Sequence, residues 1–158
     1  MQKIICFHNP HEENGYLSNW ALTSFSVEGI RFSSMEQFMM FQKANAFHDT
    51  KTAAKILQTD DVALVKRLGR EVANYSESYW NGIRQIVVYQ GLLAKFSQNP
   101  DLLVKLKQTG NAILAECAVH DRIWATGLSI QDPDRFVPST WKGKNLLGYS
   151  LMMVREYL

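Results

Sequence analysis

The stretch "SSMEQFMMFQKA", residues 33–44, has the pattern of an amphipathic helix that directly follows a β-hairpin pattern. Ser33 and Glu36 have the S-x-x-E spacing of a capping box, in which the glutamate reaches back to the backbone N–H of the N-cap residue. On this interpretation, Glu36 is a structural residue that helps the helix to begin.

A second interpretation of Glu36 follows from helix geometry. Residues 36, 40 and 43 have the spacing i, i+4, i+7, so Glu36 and Lys43 share one face of the helix. They are about 10 Å apart along an axis that rises about 1.5 Å per residue, which is too far for a salt bridge but suits flanking a small ligand. Lys43 also fits an ordinary solvated surface lysine.

The segments around this helix predict strands before it and mostly helices after it. Residues 3–7 have the pattern of a strand, and residues 24–34 that of a hairpin centred on Glu28-Gly29. Helices are predicted at 50–58, 60–70, 76–96, 100–110 and 146–158. Short strands are predicted at 112–118 and 123–129, with a loop at 131–145.

Length and composition fit a globular protein with one core. The chain has 158 residues, of which 46% are hydrophobic and 20% charged. The 17 basic residues outnumber the 15 acidic ones by only two, so composition gives no general nucleic-acid footprint. A local basic pocket remains compatible with this balance.

The cysteines and histidines lack the spacing of metal ligands. Cys6 and Cys117 lie far apart in apolar runs, which favours reduced thiols in a cytoplasmic protein. The four histidines form no ligand pattern, so neither a metal nor another cofactor is expected. No apolar run reaches the roughly 20 residues that span a bilayer, and the apolar run at the N-terminus is too short for a signal peptide, so no membrane partner is expected.

Several aromatic and polar residues in other segments are candidates for a ligand site. Trp80 and Trp124 either fill the core or stack on a nucleobase, and sequence patterns alone leave both open. Asp121 lies close to Trp124 in the segment 116–127. The segment "WKGKNLLG", residues 141–148, fits a phosphate cradle at a helix N-terminus, but it also fits any helix capped by asparagine.

Taken in order, these segments resemble the NADAR, or YbiA-like, family over nearly the whole chain. The resemblance rests on "LSNW" (17–20), "SSMEQFMMFQKA" (33–44), Trp80, "LLAKF" (92–96) with Asn99-Pro100, "TGNAILAE" (109–116), "DRIWATGLS" (121–129) and "WKGKNLLGYSLMMVR" (141–155). It implies one domain over residues 1–158, with an α+β fold that is predominantly α-helical and has a small antiparallel sheet.

The resemblance also implies an activity, the hydrolysis of an N-glycosidic bond between a ribose and a base. The implied substrates are ribosylamino-pyrimidine intermediates of riboflavin biosynthesis, or ADP-ribosylated guanine bases, in which case a nucleic acid takes part only as the modified substrate. The catalytic candidates that carry over by position are Glu36, Lys43 and Asp121. The implied substrate contacts are Ser18, Asn19, Trp80, Trp124, Gly127, Gly143 and Asn145.

The chain departs from the family pattern in two places. Gln37 stands where the family has a histidine, so any role of that histidine is lost. Ala125 stands where the family has the first glycine of W-G-x-G, which would reshape the pocket if that glycine needs a positive φ. Both changes bear on the choice of substrate more than on activity.

Two mechanisms fit the candidate residues. In one, Glu36 orients or deprotonates a water molecule, and Asp121 holds the ribose hydroxyls or protonates the leaving group. In the other, Lys43 attacks the opened sugar and forms an imine, which requires burial to lower its pKa. The alternatives in function are an ADP-ribosyl-guanine hydrolase and a non-catalytic module that binds ADP-ribose.

Overall fold

The computed structural model describes all 158 residues, in two compact units. The split unit comprises residues 1–18 and 99–158, and the central unit comprises residues 19–98. The strands are β1 (Ile4–Phe7), β2 (Leu22–Val27), β3 (Ile30–Ser34) and β4 (Ile113–Glu116). The helices are α1 (Met35–Ala46), α2 (Thr50–Leu57), α3 (Val62–Arg70), α4 (Glu77–Gln98), α5 (Pro100–Gln108) and α6 (Leu146–Tyr157). The predicted fold class is confirmed.

The central unit begins with the predicted hairpin. Strands β2 and β3 pair antiparallel, and Val27 lies opposite Ile30 across a two-residue turn. Both turn residues have a positive φ, 51° at Glu28 and 79° at Gly29. Two positive φ values are typical of the turn whose twist matches that of the paired strands.

The core of the central unit holds α1 in place through aromatic packing. Phe38 of α1 lies 5.1 Å from Phe32 and 5.9 Å from Phe25, measured between ring centroids, and all three rings are buried. Gly91 allows α4 to approach α1, because a Cβ at this position would clash with the Phe38 ring. The backbone of α1 is therefore fixed on two sides by side chains and a close helix contact.

The split unit is built on a parallel pair of strands. Strand β1 pairs with β4, from Ile4 opposite Ile113 to Phe7 opposite Glu116. Helix α6 packs on β4 at Gly148, where a Cβ would clash with the Leu114 carbonyl oxygen. The sequence predicted an antiparallel sheet, and the hairpin supplies it, whereas the parallel pair joins segments that are more than 100 residues apart.

The prediction of a strand at 123–129 is wrong. These residues form turns, and the backbone N–H of Thr126 donates to the Glu116 carbonyl at 2.8 Å as an isolated contact at the end of β4. The predicted loop at 131–145 contains two short 3₁₀ helices, Pro133–Phe136 and Pro138–Thr140. None of the six α-helices combines the length and the apolar composition that crossing a bilayer requires.

Candidate active site

The N-terminus of α1 is capped one residue later than the sequence predicted. Ser34 is the N-cap, and its Oγ accepts a hydrogen bond from the Gln37 backbone N–H at 3.0 Å. Gln37 completes the cap, because its Oε1 accepts from the Ser33 backbone N–H at 2.7 Å. The prediction that Ser33 and Glu36 form the capping box is therefore wrong, and the Glu36 carboxylate is not needed for that purpose.

Gln37 has a second structural role. Its Nε2 donates to the carbonyl oxygens of Ile56 at 3.1 Å and Thr59 at 2.9 Å, and the side chain is buried. These contacts tie the first turn of α1 to the end of α2. Gln37, at the position where the resemblance implied a histidine, thus holds the backbone around Glu36.

Glu36 is buried beside a polar group that has no partner. Its side chain is 5% exposed, and its backbone N–H donates to the Asn19 carbonyl at 2.9 Å. Asn19 is also 5% exposed, and its Oδ1 accepts no hydrogen bond. Leaving a buried acceptor unsatisfied costs about 1–3 kcal/mol, and a bound donor would remove this cost.

Lys43 is held on the same helix in a half-buried position. Its Nζ donates to the Gly69 carbonyl at 2.7 Å and lies 4.6 Å from the centroid of the Tyr75 ring. Burial lowers the pKa of Lys43, the Glu36 charge opposes that effect, and the Arg70 charge adds to it. Lys43 is therefore partly removed from solvent and anchored to Gly69, unlike a fully solvated surface lysine.

Sequence reasoning missed Gly69, which makes the position of Lys43 possible. A Cβ on Gly69 would clash with the side chain of Met40 in α1, so a larger residue here would require Met40 to move. The signal was the "LGR" at the end of α3, which reads as an ordinary helix stop. Trp80, the fourth candidate in this unit after Asn19, Glu36 and Lys43, is buried near the start of α4.

Two buried cations on α4 were also missed. Arg84 is 7% exposed and lies one turn after Trp80, where its Nη1 donates to Asn81 Oδ1 at 2.6 Å. Lys95 is 0% exposed, and burial lowers its pKa to about 7. Residues 80, 84 and 95 share one face of the helix, and that shared face was the available signal.

In the split unit, Asp121 organises a turn. Its Oδ1 accepts hydrogen bonds from the backbone N–H groups of Ile123 at 2.9 Å and Trp124 at 2.8 Å. This arrangement is an Asx turn, which places the half-buried Trp124 without using Oδ2. A catalytic role for Asp121 stays a prediction.

The backbone of the predicted phosphate cradle is already occupied. Consecutive N–H groups donate to carbonyl oxygens of residues 122–126 at 2.8–3.1 Å: Lys142, Gly143, Lys144, Asn145, Leu146 and Leu147. A cradle needs N–H groups that point at the ligand. The prediction that free N–H groups of this segment take a phosphate is therefore wrong, because the segment uses them to hold its neighbour.

The remaining candidates have evident packing roles. Asn145 is fully buried with φ 51°, donates from Nδ2 to the Leu114 carbonyl at 2.8 Å, and accepts at Oδ1 from the Glu116 N–H at 3.0 Å. Gly127 has φ 75°, and a Cβ on Gly143 would clash with the Ala125 carbonyl. Ser18 is buried at the end of the 3₁₀ helix Gly15–Leu17. Their contacts with a substrate stay predictions.

Ala125 fits its place without strain. It is fully buried, and its φ is not positive, so a side chain here meets no conformational penalty. The alanine at this position, where the resemblance implied a glycine, therefore leaves the backbone of the turn unstrained.

Comparison with known proteins places the chain in a family. A family model described as the NADAR domain matches residues 6–158, across both units. The chain belongs to the NADAR family. The chain is 36% identical to N-glycosidase R617 of Acanthamoeba polyphaga mimivirus, over 98% of this chain and 95% of that protein. It is also 34% identical to the riboflavin biosynthesis protein VVA0006 of Vibrio vulnificus, over 100% of this chain and 39% of that protein.

A solved structure of the family supports the fold. The NMR structure of the E. coli protein YbiA matches this NADAR chain with a TM-score of 0.82 and 30% identity, over 99% of this chain and 86% of that one. Relatives matched over most of their length are named N-glycosidases. The prediction of an N-glycosidase is thus confirmed at the level of enzyme class.

Proposed function

We propose that the chain hydrolyses the bond between C1 of a phosphorylated ribose and the amino group of a ribosylamino-pyrimidine. The observation that carries this proposal is the charged face of α1, where a buried carboxylate without a capping role and a desolvated amine lie two turns apart. The name of the Vibrio vulnificus relative, a riboflavin biosynthesis protein, supports this class of substrate.

Lys43 is the nucleophile in this proposal. The sugar ring of a ribosylamine opens when the bond between C1 and the ring oxygen breaks and that oxygen takes a proton. This step leaves an iminium in which C1 is doubly bonded to the amino nitrogen of the pyrimidine. The neutral Lys43 amine adds to C1, the amino-pyrimidine departs with a proton, and water then hydrolyses the lysine imine to the free sugar aldehyde. Burial favours the neutral amine that this addition needs.

Glu36 moves protons in the same steps. Its carboxylate accepts the proton that Lys43 loses on attack and returns a proton to the departing amino group. Its negative charge also stabilises the cationic iminium at C1. Asn19 Oδ1, buried and without a donor, is suited to accept a hydrogen bond from a ribose hydroxyl.

The proposal is tested by product analysis. Purified protein is incubated with ribosylaminouracil phosphate and, separately, with guanine-ADP-ribosylated DNA, and products are identified by chromatography and mass spectrometry. We expect ribose 5-phosphate and free base from the first substrate. Glu36→Gln, which has nearly the same shape, is expected to lose this release at unchanged thermal stability.

Three results would contradict parts of the proposal. Release of ADP-ribose alone would assign the chain to the ADP-ribosyl-guanine branch. Binding of either substrate without release would make it a binding module. Release that is unaffected in Glu36→Gln would remove this residue from the chemistry.

A further inference from the structure

The split unit contains a cavity that none of the ten candidate site residues lines. It lies beside β1, the loop before Leu17, α5 and the 3₁₀ helix Pro133–Phe136, and its volume is about 740 Å³. Pockets that bind small molecules usually measure about 300–1,000 Å³. The space is therefore large enough for an organic ligand of its own.

The lining of this cavity is strongly unbalanced in charge. Three basic side chains, Lys3, Lys105 and Arg135, line it together with a single acid, Glu13. No carboxylate forms a salt bridge with any of the three cations. Like charges that gather around a concave surface repel one another and attract an anion.

Hydrogen bonds of the fold hold Arg135, and the exposed Lys105 lies near an aromatic ring. Arg135 Nη1 donates to the Asp132 carbonyl at 2.8 Å, and the Arg135 carbonyl accepts from Trp141 Nε1 at 3.0 Å. Lys105 Nζ lies 5.8 Å from the centroid of the Tyr16 ring. A guanidinium that donates one of its five N–H groups to a carbonyl keeps others that can donate to an oxyanion.

The lining also offers apolar surface next to these charges. Ile4, Ile5 and Phe136 belong to it, and the Arg135 guanidinium lies 4.1 Å from the centroid of the Phe136 ring. A bare inorganic ion would leave this surface unused. A ligand with an organic body and one terminal phosphate would use both parts of the cavity.

We infer that this cavity is a second ligand site, which binds a small organic phosphate through Lys3, Lys105 and Arg135. The phosphate lies among the three cations, and the organic part lies along Ile4, Ile5 and Phe136. The inference does not depend on the proposed hydrolysis, because it uses no residue of the α1 face.

Cys6 provides a built-in reporter of occupancy. It lines the cavity and is half-buried, whereas Cys117 is buried and serves as an internal control. A hydrogen bond from Cys117 and the nearby Arg135 lower the pKa of Cys6, which favours alkylation. The pKa of Cys117 is raised, so it reacts more slowly.

The test measures alkylation of Cys6 by iodoacetamide in the full-length protein, read by mass spectrometry of the Cys6 peptide. AMP, adenosine and inorganic phosphate are compared, with calorimetry giving the Kd of each. We expect AMP to slow Cys6 alkylation and to bind more tightly than phosphate, and adenosine to give no protection. Protection by adenosine equal to that by AMP would overturn the inference, because it would show a site that ignores the charge.

Charge variants sharpen the result. Lys105→Gln and Lys3→Gln are each expected to weaken AMP binding about tenfold, the usual consequence of losing one charged hydrogen bond. Glu13→Gln removes the only acid of the lining and is expected to tighten binding. Lys51→Gln, an exposed lysine of α2 outside the cavity, is the matched control and is expected to change nothing.

Failure of this inference is distinguishable from failure of the proposed function. Lys105→Gln is expected to hydrolyse substrate at the wild-type rate while losing AMP affinity. We expect AMP to bind detectably at concentrations of about 10 mM or below. The absence of such binding would overturn the inference even if hydrolysis is intact. Equal AMP affinity in wild type, Lys105→Gln and Lys3→Gln would do the same.

Discussion

The first turns of α1 and the segment 142–147 were both predicted to contact a ligand. They differ in whether hydrogen bonds within the fold already occupy their polar groups. In the segment 142–147, every backbone N–H donates to a carbonyl of residues 122–126. At α1, Ser34 and Gln37 satisfy the helix start, so the carboxylate of Glu36 is not part of the cap. Asn19, which accepts the Glu36 N–H through its carbonyl, keeps a buried Oδ1 without a partner.

This difference separates polar groups that stabilise the fold from polar groups that destabilise it. Satisfied polar groups specify a backbone, and their loss leaves buried partners unpaired. A buried acceptor without a donor and a desolvated amine are unfavourable in the free protein, so their presence points to chemistry. We therefore expect substitutions at α1 to change activity and substitutions in the segment 142–147 to change stability.

The largest effect is expected from Lys43→Arg. Arginine keeps the positive charge and a donor for the Gly69 carbonyl, but it does not lose its proton and forms no imine. The rate is expected to fall on the order of 10⁴-fold, as for loss of a covalent nucleophile. Reduction with borohydride during turnover should trap a sugar on wild-type Lys43 and none on the variant.

The same lysine makes a prediction about pH. Because burial lowers the pKa of Lys43, the wild-type rate should rise with pH along a limb that lies below the usual range of a lysine. The Glu36 charge opposes this shift, so any residual activity of Glu36→Gln should rise at a lower pH than the wild type. A pH–rate profile that is the same in both proteins would contradict the coupling of the two groups.

The next largest effect is expected from Glu36→Gln. Loss of a positioned acid–base group costs about 10²–10⁴-fold in rate. Thermal unfolding should be unchanged within experimental scatter, because the cap is formed by Ser34 and Gln37. A loss of stability as large as that of Ser34→Ala would return Glu36 to a structural role.

Asn145→Gly should lower stability in the other region. It removes both side-chain hydrogen bonds to β4 while glycine still accepts a positive φ, so we expect a loss of about 2–4 kcal/mol in the free energy of unfolding. Urea denaturation measures this loss. Asn145→Ala should lower the free energy of unfolding by about 1–2 kcal/mol more than Asn145→Gly, because alanine disfavours the left-handed conformation.

The smallest effect is expected at the cap itself. Ser34→Ala should lower the free energy of unfolding by about 1 kcal/mol. Ser33→Ala should cost less, because it removes only the 3.1 Å hydrogen bond from Ser33 Oγ to Gln37 Oε1 and keeps the 2.7 Å bond from the Ser33 backbone N–H. Both variants should keep the wild-type rate well below their melting temperatures. A larger loss in Ser33→Ala than in Ser34→Ala would contradict the assignment of Ser34 as the N-cap.

Local patterns predicted a large part of the fold. The hairpin at Glu28-Gly29 was readable because a two-residue turn needs residues that tolerate a positive φ. Most helices were readable from their apolar periodicity, although α1, predicted as amphipathic, is buried at every position from Met35 to Phe41. Helix α5 begins at Pro100, as its Asn-Pro signal indicated. The strand predicted at 123–129 failed because a short apolar run also fits turns that are buried by tertiary packing.

For the candidate site, the sequence indicated candidate residues but not their burial or their hydrogen-bond partners. The i, i+7 spacing placed Glu36 and Lys43 on one face, since helix geometry depends on sequence separation alone. Two neighbouring serines compete to cap α1. Ser33 has the S-x-x-E spacing to Glu36, and Ser34 has the S-x-x-Q spacing to Gln37. Adjacent capping patterns differ by interactions of about 1 kcal/mol, which a sequence pattern does not rank.

By itself, the sequence determined the helices, the hairpin and the pair of charged residues on α1, because each of these depends on near neighbours in the chain. Only the tertiary structure decided that Lys43 is desolvated against Gly69, that the N–H groups of residues 142–147 are occupied, and that β1 pairs with β4. The physical reason is that burial and hydrogen-bond satisfaction depend on groups far away in sequence. Of the two interpretations of Glu36 that the sequence left open, the local contacts of Ser34 and Gln37 removed the capping box, and the catalytic one stays a prediction.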